Sequence, residues 1–161
     1  MPKSHSFRTK AAAAVLSVVA SAASASDLDT VKALYSDAFT AAASSEKRAA
    51  ALQGLADNWQ SIGDYSGKSK SREELAKQLA GFFQLIPDLT WKIEQIVQSG
   101  DIYVVRGRAT GTPKGPLFGV DGKGRPFTIM SIDIHKIENG KIVTSHHVED
   151  WAGALRQLSA K

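Results

Sequence analysis

Apolar positions along the chain change period once, close to Leu89. Before that point they recur at helical spacing. Leu28, Val31, Leu34, Tyr35, Ala38 and Ala42 mark one face of a first helix, with Asp27 or Asp29 as its N-cap. A Ser44-Ser45 break follows, and Ala49, Leu52 and Leu55 predict a second helix over Glu46–Ala56 that Asp57-Asn58-Trp59 ends. Gly63, Gly67 and the Ser and Lys residues around them make an exposed loop. Ser71 with Glu74 three residues later is a capping box, in which each residue satisfies an amide of the other. The helix it opens buries Leu75, Leu79, Phe82 or Phe83, and Ile86, and stops before Pro87, which disfavours helix at the residue preceding it.

From Leu89 onward the period is that of strands. Thr90–Gln98 sets Trp91, Ile93, Gln95 and Val97 against Lys92, Glu94 and Ile96. Gly100-Asp101 turns the chain into a second strand, Ile102–Thr112, and the Gly-rich stretch Gly111–Gly124 is a long loop. Phe127–Ile137 and Lys141–Val148 then flank Asn139-Gly140, whose residues accept the positive φ values of a type I′ hairpin turn. A terminal turn or helix covers Gly153–Leu158. Three helices followed by four antiparallel strands is an α+β arrangement, and a strongly curved sheet with helices over one side encloses a pocket.

Composition narrows the reading. The chain has 161 residues, 43% of them apolar, enough for one domain with its own core. Its formal charge of +4 invites a nucleic-acid partner, but the N-terminus accounts for most of it. Lys3, Arg8 and Lys10 precede the apolar run Ala11–Ala20, and Ala23-Ser24-Ala25 is a small-x-small cleavage signal. That is the plan of a secretory signal peptide over residues 1–25, leaving a domain of residues 26–161 in the periplasm or outside the cell. The run is too short for a permanent anchor, so no membrane partner is expected after cleavage. The three lost cations are accompanied by no acid, so residues 26–161 carry +1 and no nucleic-acid partner is expected. Without cysteine there is no disulfide, thiol nucleophile or thiolate metal site. Lys68, Lys70, Arg72 and Lys77 form a basic run that reads as a solvated face.

Candidate chemistry concentrates on the last strand. By alternation Thr144, His146, Val148 and Asp150 face one way, and Ser145, His147, Glu149 and Trp151 the other. This split also argues against a metal site, since the two histidines and the two acids do not converge. Asp133 alternates with Phe127, Ile129 and His135, either as a second pocket carboxylate or, the reading favoured here, as the ion-pair partner of Arg106 or Arg108 on the neighbouring strand.

Several short pieces then stand in order: Pro87-Asp88-Leu89, Gly100-Asp101, Val105-Arg106, Gly111-Thr112, Phe118-Gly119, Ile132-Asp133-Ile134, Gly140-Lys141-Ile142, Asp150 and Gln157-Leu158. Together they resemble the SnoaL-like polyketide cyclase (ester cyclase) family of the nuclear transport factor 2-like superfamily, over about residues 28–158. The resemblance implies a cone-shaped curved antiparallel sheet, N-terminal helices closing an apolar cavity, and homodimers or higher homo-oligomers. It implies a small, largely apolar ligand and aldol or isomerase-like acid/base chemistry without cofactor or metal. The family's acid/base residue matches Asp150, with His146 assisting, and Trp59, Phe83, Trp91, His135 and Val148 are the candidate ligand contacts. Asp150 is equally placed to cap the terminal helix, and His146 to be a half-buried histidine with one hydrogen bond. Thr144 and His146 stand where relatives carry Glu and Trp, and the export signal separates this chain from cytoplasmic cyclases. A non-catalytic ligand-binding or scaffold domain of the same fold is the alternative.

Overall fold

A computed structural model describes residues 27–160. The expected signal peptide, residues 1–25, lies outside the described residues. The first helix, α1, covers residues 27–38 and rewinds as a π-helix over Leu34–Ala38. Next come α2 (Ser45–Leu52), β1 (Leu55–Ile62), α3 (Arg72–Leu85), β2 (Thr90–Ser99), β3 (Ile102–Gly111), β4 (Phe127–Glu138), β5 (Lys141–Glu149) and α4 (Trp151–Ser159). Ser44 caps α2, and the Ser71–Glu74 capping box forms in full at the start of α3. Asn139 and Gly140 take φ of 52° and 74°, as the type I′ turn requires. No helix among the described residues is long and apolar enough to cross a membrane.

One sheet runs in the order β1-β5-β4-β3-β2. The pairs β2/β3, β3/β4 and β4/β5 are antiparallel, while β1 runs parallel to β5. β1 corrects the expected second helix, which stops at Leu52 instead of reaching Ala56. The segment Leu55–Ile62 alternates Leu55, Trp59 and Ser61 inward against exposed Asn58 and Gln60. Its partner lies more than eighty residues away, so local spacing carries no sign of the pairing.

Two bulges redirect the strand faces. β2 slips between Ile93 and Gln95, so its inward series passes from Trp91 and Ile93 to Ile96. On β5, Ile142 pairs with Ile137 and Thr144 with Lys136, leaving Val143 as an extra residue. Ile142 and Ser145 are therefore both buried although their numbers differ in parity. Beyond Val143 the inward face carries Ser145, His147 and Glu149, and His146 and Val148 turn outward. A one-residue bulge thus reverses the face that unbroken alternation from Ile142 assigns to the candidate site side chains.

The helices pack on the concave side. Val31, Leu34 and Tyr35 of α1, with Leu75 and Leu79 of α3, meet Tyr103, Val105 and Ile142 of the sheet in one core cluster. A second cluster joins Ile86, Leu89, Phe127 and Ile129 to Leu158 of α4 and to Leu117 from the loop between β3 and β4. The space left between these clusters is the candidate site.

Candidate active site

The cavity holds about 80 Å³. Leu34 of α1 and Phe39 just after it, Leu75, Leu79 and Phe82 of α3, and Leu89 give it apolar walls. Its floor is the concave face of β1, β4 and β5, which supplies Ser61, Asp133, His135, Ser145, His147 and Glu149. Trp151, the first residue of α4, stacks on Phe82 at 5.6 Å between ring centroids and closes one side.

Two indole donors anchor the polar groups. An indole N–H only donates. Trp59 Nε1 donates to Ser145 Oγ at 3.0 Å, and Ser145 Oγ lies 2.8 Å from His135 Nδ1. The Tyr35 hydroxyl gives its single proton to the neighbouring Asp133 carboxyl, so its oxygen accepts from His135 Nε2, and Nδ1 in turn accepts from Ser145. His135 is left with the proton on Nε2, which faces the Tyr35 oxygen at 2.9 Å. In the second chain Trp91 Nε1 donates to Ser131 Oγ at 3.2 Å, and Ser131 donates to Asp133 Oδ2 at 3.0 Å. Both chains end on Asp133. Tyr35 reaches in from the π-helical turn of α1, a kind of local rewinding common at functional sites.

The environment shifts these groups in opposite directions. Burial pushes the Asp133 carboxyl up to about 6, and the Glu149 charge adds to it, while donation from Tyr35 and Ser131 and the nearby His147 oppose the rise. Burial, helped by the charge of His147, depresses His135 to about 4, so at neutral pH it is an uncharged hydrogen-bond relay. His147 moves the other way, raised chiefly by its bond to Glu149 against the effect of burial. Its Nδ1 lies 2.8 Å from Glu149 Oε1 and its Nε2 lies 2.8 Å from Ser61 Oγ. The cavity thus holds a carboxylate base held by neutral donors, with an imidazole whose protonated form is favoured by an acid nearby. That pairing suits abstraction of a proton from carbon and its return to oxygen.

Sequence-predicted site residues divide cleanly. Trp59, Trp91 and His135 line the cavity. Phe83 lies one position round α3 from the lining residue Phe82, with the Arg48 guanidinium 4.3 Å above its ring. Val148 is 61% exposed on the outer face, and His146 is exposed beside it. Asp150 is the N-cap of α4: its Oδ1 accepts from Gly153 N at 2.7 Å, and Arg156 lies 3.7 Å from its Oδ2. Asp133 does not take the expected arginine. Its side chain faces the concave side, and Arg108 bonds Glu94 at 3.0 Å instead. The sequence offered Asp133 as a second pocket carboxylate but favoured an ion pair for it, and left His147 and Glu149 outside the candidate set. The signal for Asp133 was its place in the buried alternation of Phe127, Ile129 and His135. Among the described residues no group of three or more His, Asp or Glu side chains is arranged to hold a metal.

A family model described as SnoaL-like polyketide cyclase matches residues 33–158. Among solved structures, IdmH of Streptomyces antibioticus, provisionally assigned as a polyketide cyclase, is 27% identical with a TM-score of 0.70; the match covers 83% of this chain and 99% of that one. A provisionally assigned SnoaL-like polyketide cyclase from Jannaschia sp. CCS1 is 22% identical with a TM-score of 0.71, covering 85% and 94% of the two chains. A protein of ketosteroid isomerase-like fold from Catenulispora acidiphila, solved with trimethylamine, is 14% identical at a TM-score of 0.60, covering 84% and 93%. No curated protein matches the chain.

Proposed function

The chain belongs to the SnoaL-like polyketide cyclase family, and from that premise we propose that it holds a small, largely apolar carbonyl compound in the cone and catalyses proton transfer on it, without a cofactor, with Asp133 as the base. The observation that carries this reading is Asp133 itself: an acid 6% exposed, on the cavity wall, held by Ser131 and Tyr35 rather than by a cation. A base raised to about 6 is ionised at neutral pH yet stronger than an ordinary carboxylate.

In this mechanism the Asp133 carboxylate removes a proton from a carbon beside a carbonyl. His147, protonated and steadied by Glu149, donates to the oxygen on which charge develops. The enolate then either attacks a second carbonyl of the same molecule, as in an aldol ring closure, or is reprotonated elsewhere, as in an isomerisation. Export to the periplasm or medium, supported by the N-terminal pattern, places this chemistry on a compound found outside the cytoplasm.

The convex sheet face supports a homo-oligomer as part of the same proposal. Val97, Met130, Ile134 and Val148 are 53%, 54%, 40% and 61% exposed there. These side chains lie across neighbouring strands, with Val97 opposite Val104, Val104 opposite Ile134 and Ile132 opposite Val148. A patch of this kind fits a second copy of the chain.

Native mass spectrometry of the protein from its own host, beside Asp133→Asn, tests the reading. The expected result is a bound compound in both, with the variant carrying an isomer or hydrate of what the wild type carries. Identical compounds in both would favour the non-catalytic binding domain.

A further inference from the structure

Beside the Asp133 base lies a second arrangement that this mechanism uses only in part. We propose that Ser61, His147 and Glu149 form a nucleophile triad that accepts an acyl group from a small ester at the boundary between the inner cavity and an outer cleft. Ser61 Oγ is 2.8 Å from His147 Nε2, and His147 Nδ1 is 2.8 Å from Glu149 Oε1. Nucleophile, base and orienting acid thus stand in line, each within hydrogen-bond reach of the next.

The fold imposes this alignment. β1 runs parallel to β5 with Ser61 opposite Ser145, so Ser61 shares a face with His147. Ser61 is held on its far side by a two-bond backbone bridge, its N to Lys70 O at 3.0 Å and Lys70 N to its O at 2.9 Å. The His147 ring lies over Gly63, where a Cβ would come within 3.3 Å of Cε1; bare backbone there lets the imidazole settle against β1. Ser61 and His147 line both the inner cavity and an outer cleft of about 350 Å³. Lys70 also lines both spaces and brings a positive charge to the place where an oxyanion would form.

In the reaction, Ser61 Oγ bonds to the ester carbonyl carbon and its proton passes to His147 Nε2. The tetrahedral intermediate collapses, the alkoxide leaves with that proton, and Ser61 holds the acyl group. Water then attacks with His147 again taking a proton, which returns to Ser61 as the acid departs. This chemistry needs neutral His147, whereas donation to an enolate needs it protonated, so the two activities occupy opposite sides of its titration. The charged and titratable groups facing His147 are Glu149 on its own strand, Asp133 and His135 on β4, and Lys70 beside β1.

Diisopropyl fluorophosphate tests the triad without any substrate. The Ser61–phosphorus bond forms as the phosphorus–fluorine bond breaks, fluoride leaves and His147 takes the proton. The expected result is one adduct per chain, mapped to Ser61 by peptide mass spectrometry, formed faster as pH rises through the His147 titration. Ser61→Ala abolishes it and His147→Gln slows it about 10²-fold, the usual share of a general base. Glu149→Gln moves the midpoint of the pH profile down, because the bond that raises His147 is weakened. Should His147→Gln fail to fold by circular dichroism, the Glu149→Gln midpoint decides the matter. No adduct on Ser61 at any pH, an equal rate in folded His147→Gln, or an unmoved midpoint in Glu149→Gln overturns the proposal. Labelling abstracts no proton from carbon, so its failure leaves the Asp133 reading standing, and the reverse holds.

Discussion

Asp133 and His135 sit two residues apart on β4 and are displaced from their ordinary values in opposite senses, to about 6 and about 4. For Asp133, raised from 3.8, the native state binds the extra proton, so stability falls as pH rises from about 4 to about 6. For His135, lowered from 6.5, the unfolded state binds it, so stability rises with pH between about 4 and 6.5. The two slopes oppose each other over the same window. Asp133→Asn removes one of them, and its unfolding free energy should gain on wild type by about 2 kcal/mol from pH 4 to pH 6, since the slope reaches about 1.4 kcal/mol per unit only midway. Urea titrations across that range check it; parallel curves would mean that Asp133 is not raised. His135 should appear in nitrogen NMR as the neutral Nε2–H tautomer at neutral pH, because Tyr35 gives its proton to Asp133 and its oxygen accepts from Nε2. Asp150→Ala, by contrast, should lose about 1 kcal/mol as an N-cap, read as a lower Tm, with little change in turnover. At this scale the sequence displayed the right kinds of residue but not their roles. A buried Asp and a capping Asp are the same letter, and only burial and partners separate them.

At the scale of elements, patterns confined to neighbours in the chain were legible and those made by distant pairing were not. The Ser71 capping box and the Asn139-Gly140 hairpin form as the spacing predicts, because each is satisfied within a few residues. β1 and the Val143 bulge were not legible, since both depend on how β5 meets its two neighbours. The consequence is large: one extra residue puts His147 and Glu149 into the cavity and His146 outside it. Close approach across β3 is a further device of this kind. A Cβ on Gly107 would lie 2.7 Å from Ser131 Oγ and 2.9 Å from Trp91 Nε1, the two atoms that connect β2 to Asp133. Gly107→Ala should therefore destabilise the fold by about 1–3 kcal/mol, the usual cost of overpacking, and shift the Trp91 emission. Equal stability with unchanged fluorescence would show that the indole does not need that space.

For the whole molecule, the α+β cone was readable from the change of period near Leu89 together with the ordered family pieces, and the family is the one those pieces resemble. A sheet curved around helices leaves one face enclosed and the other open. The enclosed face carries the candidate site, and the open one carries Met130, Ile134 and Val148. If a second copy covers that face, Val148→Lys should halve the mass seen in sedimentation and leave the monomer folded. An unchanged mass would place the contact elsewhere or leave the chain alone in solution. The cavity of about 80 Å³ limits the ligand to a compact one unless the Phe82–Trp151 pair parts to admit something longer.

The most direct test of the account follows the exchange of the methylene protons of methyl acetoacetate in D₂O by NMR, for wild type and Asp133→Asn across pH. The account predicts exchange catalysed by the wild type that rises with pH through about 6, as Asp133 ionises, and a fall of about 10²–10⁴-fold in the variant. Equal rates in the two proteins, or a profile with no inflection near 6, would contradict it.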